Sequence, residues 1–500
     1  MKKFIILIFL FSFQLFAEEK TLTILHWNDF HAQNSPIKAL KKGKTKSEDT
    51  TIFIGGSATL SGYINDFKKQ QKDILVLNAG DDFQGTPISS ITNGMSQIEL
   101  MNMINPDAVC LGNHEFDYGD LTLKKNLENA KYPILCANLW DKKKLKLFAE
   151  PYKIIEKNEI KIGIIGVLPK DFYFLSLKKN IENVELLNTD SVIFVAIESL
   201  KKQNINFIIL LSHLGLNEDT TIANKFSDID VIVGGHSHTQ LFVPVKKNKS
   251  VIVQAGSKGG FLGKLDLKIE NDSITSYNGI LIETRVENTK SDSLIEKKVK
   301  EFESQVDASL NVVIGELQTN WIRTNEKKES DIGNWESDGI RKICNTDIAF
   351  MNSGGIRKDL LEGKITVRDI WEINPFGNTF QKFKMTGKML KEMLEWQISF
   401  AREFAIPSGV RFIFDSQKPL GKQLIALEII GKKFSEDSIY TIATNNFVSS
   451  HLYEFFGLKD FKEIEETGII DRDGFIDIIK KEKKISSSLD SRIVDKSKDF

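Results

Sequence analysis

The 500-residue sequence has few cysteines and no marked excess of either charge. Three cysteines are too few for a disulfide framework, and no CxxC or CxxH spacing indicates a thiolate metal site or a redox site. We expect Cys110 and Cys136, which lie in the apolar runs DAVCL and YPILCANL, to be buried thiols. Basic residues number 67 against 68 acidic ones, a net charge of −1. A protein that binds nucleic acid along an extended surface would carry a basic stripe, so we predict no nucleic-acid partner.

Long apolar runs are also missing, except at the beginning of the sequence. The basic start MKK, the run FIILIFLFSFQLF and the small residue Ala17 predict a signal peptide over residues 1–17. The run is shorter than a bilayer span, so we favour a cleaved leader over a membrane anchor. We therefore expect a soluble, exported protein, periplasmic or secreted, without a stable membrane anchor. The sequence does not indicate an oligomeric state.

What the sequence does contain is one repeated pattern of short aliphatic runs that end in polar residues. Five segments show it: TLTILHWND, DILVLNAGDD, DAVCLGNHE, INFIILLSHLG and DIDVIVGGHSH. Such runs are typical of buried strands, and helix-length segments lie between them, which predicts a layered α/β domain. Ligands of such sheets collect at the carboxyl ends of the strands, so we expect the polar residues to converge on one site. The length of the chain favours two domains.

The chemistry of these strand ends points to metal binding. Five of the seven histidines belong to them: His31, His114, His213, His236 and His238. Imidazole, carboxylate and amide oxygens together suit divalent ions such as zinc or manganese. The alternative is a polar cluster held by internal hydrogen bonds, which would bury many uncompensated groups at a cost of several kcal/mol.

Together, these patterns resemble a known family. NDFH, GDDFQG, GNHEFD, SHLG and GGHSH occur in the order of the calcineurin-like metallophosphatases, and NSGGIR and NPFGN follow them. The chain is thus similar to the secreted 5'-nucleotidase / UDP-sugar hydrolase family. The resemblance implies an α/β fold: an αββα metallophosphatase sandwich over 20–290, a connecting helix over 291–310 and an α+β substrate-binding domain over 311–490.

The resemblance also implies a site with two divalent metal ions. One ion would be held by Asp29, His31 and His238. The other would be held by Asn113, His213 and His236. Asp81 would bridge the two ions, and two cations about 3.5–4 Å apart do need a shared anionic ligand. The identity of the metal stays open.

The segment GNHEFD carries the expected catalytic residues. His114 resembles the catalytic histidine of the family, and Asp117 would orient its ring and favour the protonated form. We interpret Glu115 as a structural residue.

The second half of the chain has a different character. The segment SDSLIEKKVKEFESQVDASL has apolar residues at 295, 299, 302 and 306, which predicts an amphipathic connecting helix. The resemblance implies five substrate-binding residues: Asn352, Gly355, Arg357, Phe376 and Phe447. A glycine loop followed by arginine can bind an anion, and two phenylalanine rings can sandwich a base.

The expected function is hydrolysis of nucleoside 5'-phosphates to nucleoside and phosphate. Alternatives are a UDP-sugar hydrolase or a 2',3'-cyclic-nucleotide phosphodiesterase of the same family, a nuclease, or a surface binder without activity. The family's usual GGDG stretch, whose aspartate contacts the ribose hydroxyls, is replaced here by VSSHLYEFF. The physiological substrate therefore stays open.

Overall fold

The structure, a computed structural model, describes residues 19–498 apart from 42–49, 307, 325, 460 and 462. The predicted signal peptide, residues 1–17, lies outside the described residues. Within the described part of the chain, no helix is both long and apolar enough to cross a membrane. All three cysteines are buried and unpaired, as predicted for Cys110 and Cys136.

Two facing six-stranded sheets form the centre of the first half. In spatial order, the first sheet consists of Ser273–Glu283, Phe261–Glu270, Lys20–Trp27, Ile74–Asn78, Ala108–Cys110 and Ile134–Leu135. The second sheet consists of Val245–Lys247, Ser250–Val253, Val231–Gly234, Phe207–Ser212, Ile160–Val167 and Tyr152–Lys157. The central strands of each sheet run parallel, which brings the ends of their polar-terminated runs to one edge.

Helices cover the outer faces of both sheets. An apolar cluster with Ile24, Leu77 and Ile209 fills the space between the sheets. Separate clusters, around Leu60 on one side and Ile197 on the other, pack the helices onto the outer faces. The α-helices are Ser57–Gln70, Pro87–Ile91, Met95–Ile104, Asp120–Leu127, Phe172–Leu175, Thr189–Lys201, Leu216–Lys225 and Ser293–Gln305. Shorter strands are Ile37–Lys41, Thr50–Ile54, Leu139–Asp141, Lys146–Leu147 and Val184–Leu186. The predicted αββα layering is confirmed.

The second half is built around a mixed five-stranded sheet. Its strands, in spatial order, are Ala405–Ser408, Ile348–Asn352, Ile439–Asn445, Thr379–Thr386 and Glu465–Ile470. Two three-stranded sheets accompany it, formed by Gly363–Thr366, Val313–Leu317 and Lys484–Ile485 and by Leu424–Ile429, Val410–Phe414 and Ile493–Asp495. The helices are Asp331–Cys344, Val367–Ile373, Gly387–Ser399, Asn446–Ser450, Leu452–Phe456 and Asp471–Glu482. The expected α+β character is confirmed.

The predicted connecting helix is present at Ser293–Gln305. The side chain of Asp292 caps it by accepting hydrogen bonds from two backbone N–H groups of the first turn. Ile295, Val299 and Phe302 are buried, and they belong to the apolar cluster that covers the first sheet. The helix is therefore packed onto the first domain. The predicted domain boundaries on either side of it stay predictions.

This packing predicts how the helix contributes to stability. We expect Phe302→Ala to lower the free energy of unfolding by about 3–5 kcal/mol, because it leaves a cavity in a buried cluster. The matched change Lys297→Ala, on the exposed face of the same helix, alters it by no more than about 0.5 kcal/mol. Urea unfolding followed by circular dichroism measures both values. Equal, small effects would show that the helix does not support the first domain.

Candidate active site

The predicted metal ligands lie on loops at the carboxyl ends of parallel strands in both sheets. The first sheet contributes Asp29, His31, Asp81 and Asn113. The second sheet contributes His213, His236 and His238. All seven come together, as expected for strands whose ends share one edge.

Asp29, His31 and His238 form a first group of potential ligands. His238 Nε2 lies 3.2 Å from Asp29 Oδ1 and 3.1 Å from His31 Nε2. The ligand atoms of the three residues lie within 4.8 Å of one another, close enough to share one ion. This is the first ligand set that the resemblance implies.

A second group contains Asp81, His213 and His236, again with ligand atoms within 4.8 Å of one another. His213 Nδ1 lies 2.5 Å from the carbonyl oxygen of Ala79, to which it can donate a hydrogen bond. That bond leaves His213 Nε2, 3.0 Å from Asp81 Oδ2, as the ligand atom. The predicted amide ligand of this group, Asn113, is buried and lines the same cavity as Asp81 and His236.

The donor set fits divalent cations. Among the described residues, Asn113 Oδ1 is buried without a hydrogen-bond partner, and Asp29 Oδ1 and His213 Nε2, although close to His238 and Asp81, form no hydrogen bond of good geometry. Although burial alone lowers it, the charges of Asp81 and Asp29 raise the pKa of His213 to about 10. The two carboxylates are therefore stabilised by a nearby positive charge. A divalent cation would supply this charge in place of the proton on His213.

The backbone at this site is strained. Five of the predicted ligands have a positive φ, an uncommon conformation for residues other than glycine: Asp29, His31, Asp81, His236 and His238. Such strain persists only where the surroundings enforce it, and it concentrates at functional sites. A glycine makes one close approach possible, because a Cβ atom at Gly112 would overlap the carboxylate of Asp81.

His114 and Asp117 form the predicted pair. His114 Nδ1 lies 2.9 Å from Asp117 Oδ2, and the His114 backbone N–H donates to Asp81 Oδ1 at 2.9 Å. Burial by itself lowers the pKa of His114, but the charges of Asp117 and Asp81 outweigh this effect and raise it. With Nδ1 occupied, Nε2 is the ring nitrogen left to act on a substrate.

Glu115 holds the two loops of the first sheet together. Its Oε2 accepts hydrogen bonds from the backbone N–H groups of Gly112, at 2.6 Å, and Asp81, at 3.2 Å. Its Oε1 accepts from Asp82 at 2.7 Å and Phe83 at 3.2 Å. The structural role inferred for this residue agrees with these contacts.

A cavity of about 460 Å³ joins this centre to the second domain. From the first domain it is lined by Asp81, Asn113, His114, Asp117, His236 and His238. All five predicted substrate-binding residues line it from the other side: Asn352, Gly355, Arg357, Phe376 and Phe447. The volume lies in the range of small-molecule sites.

Within the cavity, Arg357 faces the metal-ligand end. Its Nη2 atom lies 3.4 Å from His31 Nε2, and its guanidinium lies 5.8 Å from the centre of the Phe376 ring. The Phe376 ring centre is 5.7 Å from that of His114. The Phe447 ring packs instead against Phe174 of the first domain, at 6.3 Å.

Asn352 has a different environment from the one we expected. It is buried, and its Nδ2 donates to Glu403 Oε1 at 2.8 Å while its Oδ1 accepts from Asn445 Nδ2 at 2.8 Å. Its amide therefore holds neighbouring side chains in place. A direct contact with substrate stays a prediction.

Sequence reasoning missed three charged residues near the cavity. Arg323 Nη1 and Lys258 Nζ both donate to the Arg357 carbonyl oxygen, at 3.2 and 2.9 Å. Glu403 lines the cavity beside Asn352. None of the three lies at a strand end or in a recognisable motif, so the pattern that identified the ligands gave no signal for them.

Comparison with protein families agrees with this architecture. Residues 22–240 match the model for calcineurin-like phosphoesterases, and residues 309–460 match the model for the 5'-nucleotidase C-terminal domain. The two matched ranges contain every predicted metal, catalytic and substrate-binding residue.

This chain is also similar to individual proteins over most of its length. Endonuclease YhcR of Bacillus subtilis (strain 168) is 30% identical over 87% of this chain, and the human 5'-nucleotidase is 27% identical over 94% of this chain and 90% of its own length. The crystal structure of a 5'-nucleotidase precursor from Thermus thermophilus superposes with a TM-score of 0.87, at 29% identity, over 95% of this chain and 99% of that one. The chain spans only 37% of the length of Endonuclease YhcR and 35% of the length of another similar Bacillus subtilis protein, the trifunctional nucleotide phosphoesterase protein YfkN.

Metal content distinguishes the predicted metal ligands from His114, which lies beside them. We expect His114→Ala to retain the metal content of the parent protein, because the groups Asp29, His31 and His238 and Asp81, His213 and His236 are each complete without it. His213→Ala, the matched change at a ligand position, loses at least one ion per chain. Elemental analysis of both purified variants measures this. His114 also lies close enough to His31 and Asp81 to share an ion with them, so loss of metal from His114→Ala would show that it is a ligand.

Proposed function

Because this chain belongs to the family that joins a calcineurin-like phosphoesterase domain to a 5'-nucleotidase C-terminal domain, we propose that it hydrolyses nucleoside 5'-phosphates to nucleoside and inorganic phosphate. The family membership and the fold expected from the sequence motifs are both confirmed. The substrate and the roles of individual residues are our proposals.

The shared cavity is the observation that carries the proposal. One end is formed by the metal-ligand loops, His114 and Arg357, and the rest of the cavity, its aromatic end, is lined by Phe376 and Phe447. A nucleotide has the same order of groups, since its phosphate, sugar and base follow one another. A phosphate at the ligand end would meet the Arg357 guanidinium, which suits phosphate oxygens. The base would then reach the aromatic end.

The chemistry follows from the two ligand groups and from His114. Two divalent ions held there would stabilise charge on the phosphoryl group and lower the pKa of the attacking water. His114 is held by Asp117; although burial lowers its pKa, the charges of Asp117 and Asp81 raise it and favour the protonated form. From Nε2 it can donate a hydrogen bond to the phosphoryl oxygens or a proton to the leaving oxygen. Asp117 fixes the ring that does this.

A neighbouring cleft supports the alternative of a larger substrate. It measures about 770 Å³ and adjoins the cavity at three residues that line both spaces, His236, Ser237 and Arg402. A pyrophosphate or phosphodiester substrate could place one half in each space. We therefore keep UDP-sugars and 2',3'-cyclic nucleotides as alternative substrates.

Other functions receive less support. A nuclease acting on long strands would benefit from a basic groove, and the cleft instead carries the acidic Asp171, Glu218 and Glu454 beside Lys170 and Arg402. A surface binder without activity would have no need for a complete ligand set. The proposed partner is a small nucleotide. The proposal of export rests on residues 1–17 alone.

A substrate panel tests the proposed function. We expect the purified protein to release phosphate from AMP faster than it converts UDP-glucose, 2',3'-cyclic AMP or single-stranded DNA. EDTA abolishes the reaction, and added Mn²⁺ or Zn²⁺ restores it. The products are separated by chromatography, with His114→Ala as the control variant, in which we expect turnover to fall about 10²- to 10⁴-fold.

Each outcome of the panel distinguishes one function. Cleavage of DNA without hydrolysis of AMP would support a nuclease. Faster turnover of UDP-glucose or the cyclic nucleotide would support one of the alternative substrates. No turnover of any compound by the metal-loaded protein would contradict an enzymatic role.

The aromatic end of the cavity leads to a separate prediction. We expect Phe376→Ala and Phe447→Ala each to raise KM for AMP about 5- to 100-fold, since stacking on a base contributes about 1–3 kcal/mol per ring. Both variants keep their activity on p-nitrophenyl phosphate, which lacks a base. Phe455→Ala, a change in the buried core behind Phe447, is the matched control for packing alone. Steady-state kinetics measure the effects, and equal losses on both substrates would assign the rings to the fold.

A further inference from the structure

Three carboxylates line the cavity, and two of them have partners in the metal site. Asp81 belongs to the metal-ligand centre, and Asp117 pairs with His114. The third, Glu403, belongs to neither group. It is partly exposed, and it directly follows Arg402 in the second domain.

The Glu403 carboxylate is fixed at one oxygen and free at the other. Its Oε1 accepts hydrogen bonds from Asn352 Nδ2 at 2.8 Å and from the backbone N–H of Gly354 at 2.7 Å. Among the described residues, no donor bonds to its Oε2 atom. An acceptor with free lone pairs in a ligand cavity requires a donor from the ligand or from water.

A chain of hydrogen bonds ties this carboxylate to the aromatic end. Asn445 Nδ2 donates to Asn352 Oδ1 at 2.8 Å, and Asn445 Oδ1 accepts from the backbone N–H of Val448 at 2.9 Å. Val448 follows Phe447 in the helix Asn446–Ser450. These hydrogen bonds therefore fix the Glu403 carboxylate relative to the helix that carries Phe447, the ring on which a base would stack.

The position of Glu403 determines which part of a bound nucleotide its carboxylate can contact. A carboxylate repels phosphate, and the phosphate end is marked by Arg357 and the metal ligands. A base on the Phe447 ring presents its face to that ring. The hydrogen-bond donors between these two ends are the 2'- and 3'-hydroxyls of the ribose.

We propose that Glu403 recognises the vicinal hydroxyls of the ribose and so makes the enzyme selective for ribonucleotides. Its free Oε2 accepts a hydrogen bond from one hydroxyl or from both. This inference rests on the proposed hydrolysis of nucleotides and specifies the substrate class of that site.

One other acid provides a matched comparison. Glu454 is the acid in the VSSHLYEFF stretch, where the sequence alone would look for a sugar-binding carboxylate. In the structure, Glu454 lines the neighbouring cleft and is not among the residues of the nucleotide cavity. We therefore expect Glu403 to contact the ribose and Glu454 not to contact it.

The test compares AMP, 2'-deoxy-AMP and 2',3'-dideoxy-AMP in the metal-loaded full-length protein. For the parent enzyme we expect kcat/KM to be about 10- to 100-fold higher for AMP than for the dideoxy analogue, the range for a hydrogen bond to a charged group. In Glu403→Gln this ratio falls to within about threefold of one. Glutamine retains an acceptor for Asn352 and Gly354, so the loop keeps its shape. In Glu454→Gln the ratio stays at the parent value.

Three results would overturn the proposal. The first is a parent enzyme that discriminates no more than about threefold between AMP and the dideoxy analogue. The second is an equal loss of activity on all three nucleotides in Glu403→Gln, which would make Glu403 a support for the loop alone. The third is failure of the parent enzyme on all three nucleotides while p-nitrophenyl phosphate is still hydrolysed. That third pattern would overturn the proposed function as well, and it differs from the first two.

Discussion

The position of the Asp81 carboxylate is the constraint on which the rest of the site depends. Asp81 lies against His213 on one side and accepts the His114 backbone N–H on the other. Its loop has a positive φ at Asp81, so it does not hold this shape by itself. Glu115 fixes it by accepting backbone hydrogen bonds from this loop and from the loop at Gly112. The buried carboxylate of Glu115 thus positions Asp81, which in turn contacts the predicted ligand His213 and the proposed acid His114.

The proposed substrate contacts depend on a second constraint, which is the packing of the two domains against each other. The cavity walls come from both of them, and polar contacts cross between the domains next to it. Lys258 Nζ donates to the Arg357 carbonyl oxygen, and His451 Nε2 lies 3.3 Å from the Tyr173 carbonyl oxygen. The exposed side chain of Arg402 pairs with Asp171 across the same boundary. The two domains are thus held together beside the cavity, and the groups that line it from either side depend on this packing.

The convergence of the predicted metal ligands could be foreseen from the sequence for a physical reason. Parallel strands end at a common edge, so polar residues that terminate aliphatic runs must converge, whatever the loops between them do. The connecting helix was predictable in the same way, because its apolar spacing is local. The role of Glu403 was not predictable, since it depends on contacts with Asn352 and Gly354, about fifty residues away in the chain. Likewise, the proximity of Phe376 to His114 depends on how two domains pack, which no local pattern records.

The division of the cavity between two domains has an evolutionary consequence. The proposed metal ligands and acid lie between Asp29 and His238, whereas the groups proposed to hold the nucleotide lie between Asn352 and Phe447. A substitution in the later segment can change which molecule is presented without disturbing the loops that act on phosphorus. Such modularity allows one reaction to be retained while its range of substrates diversifies.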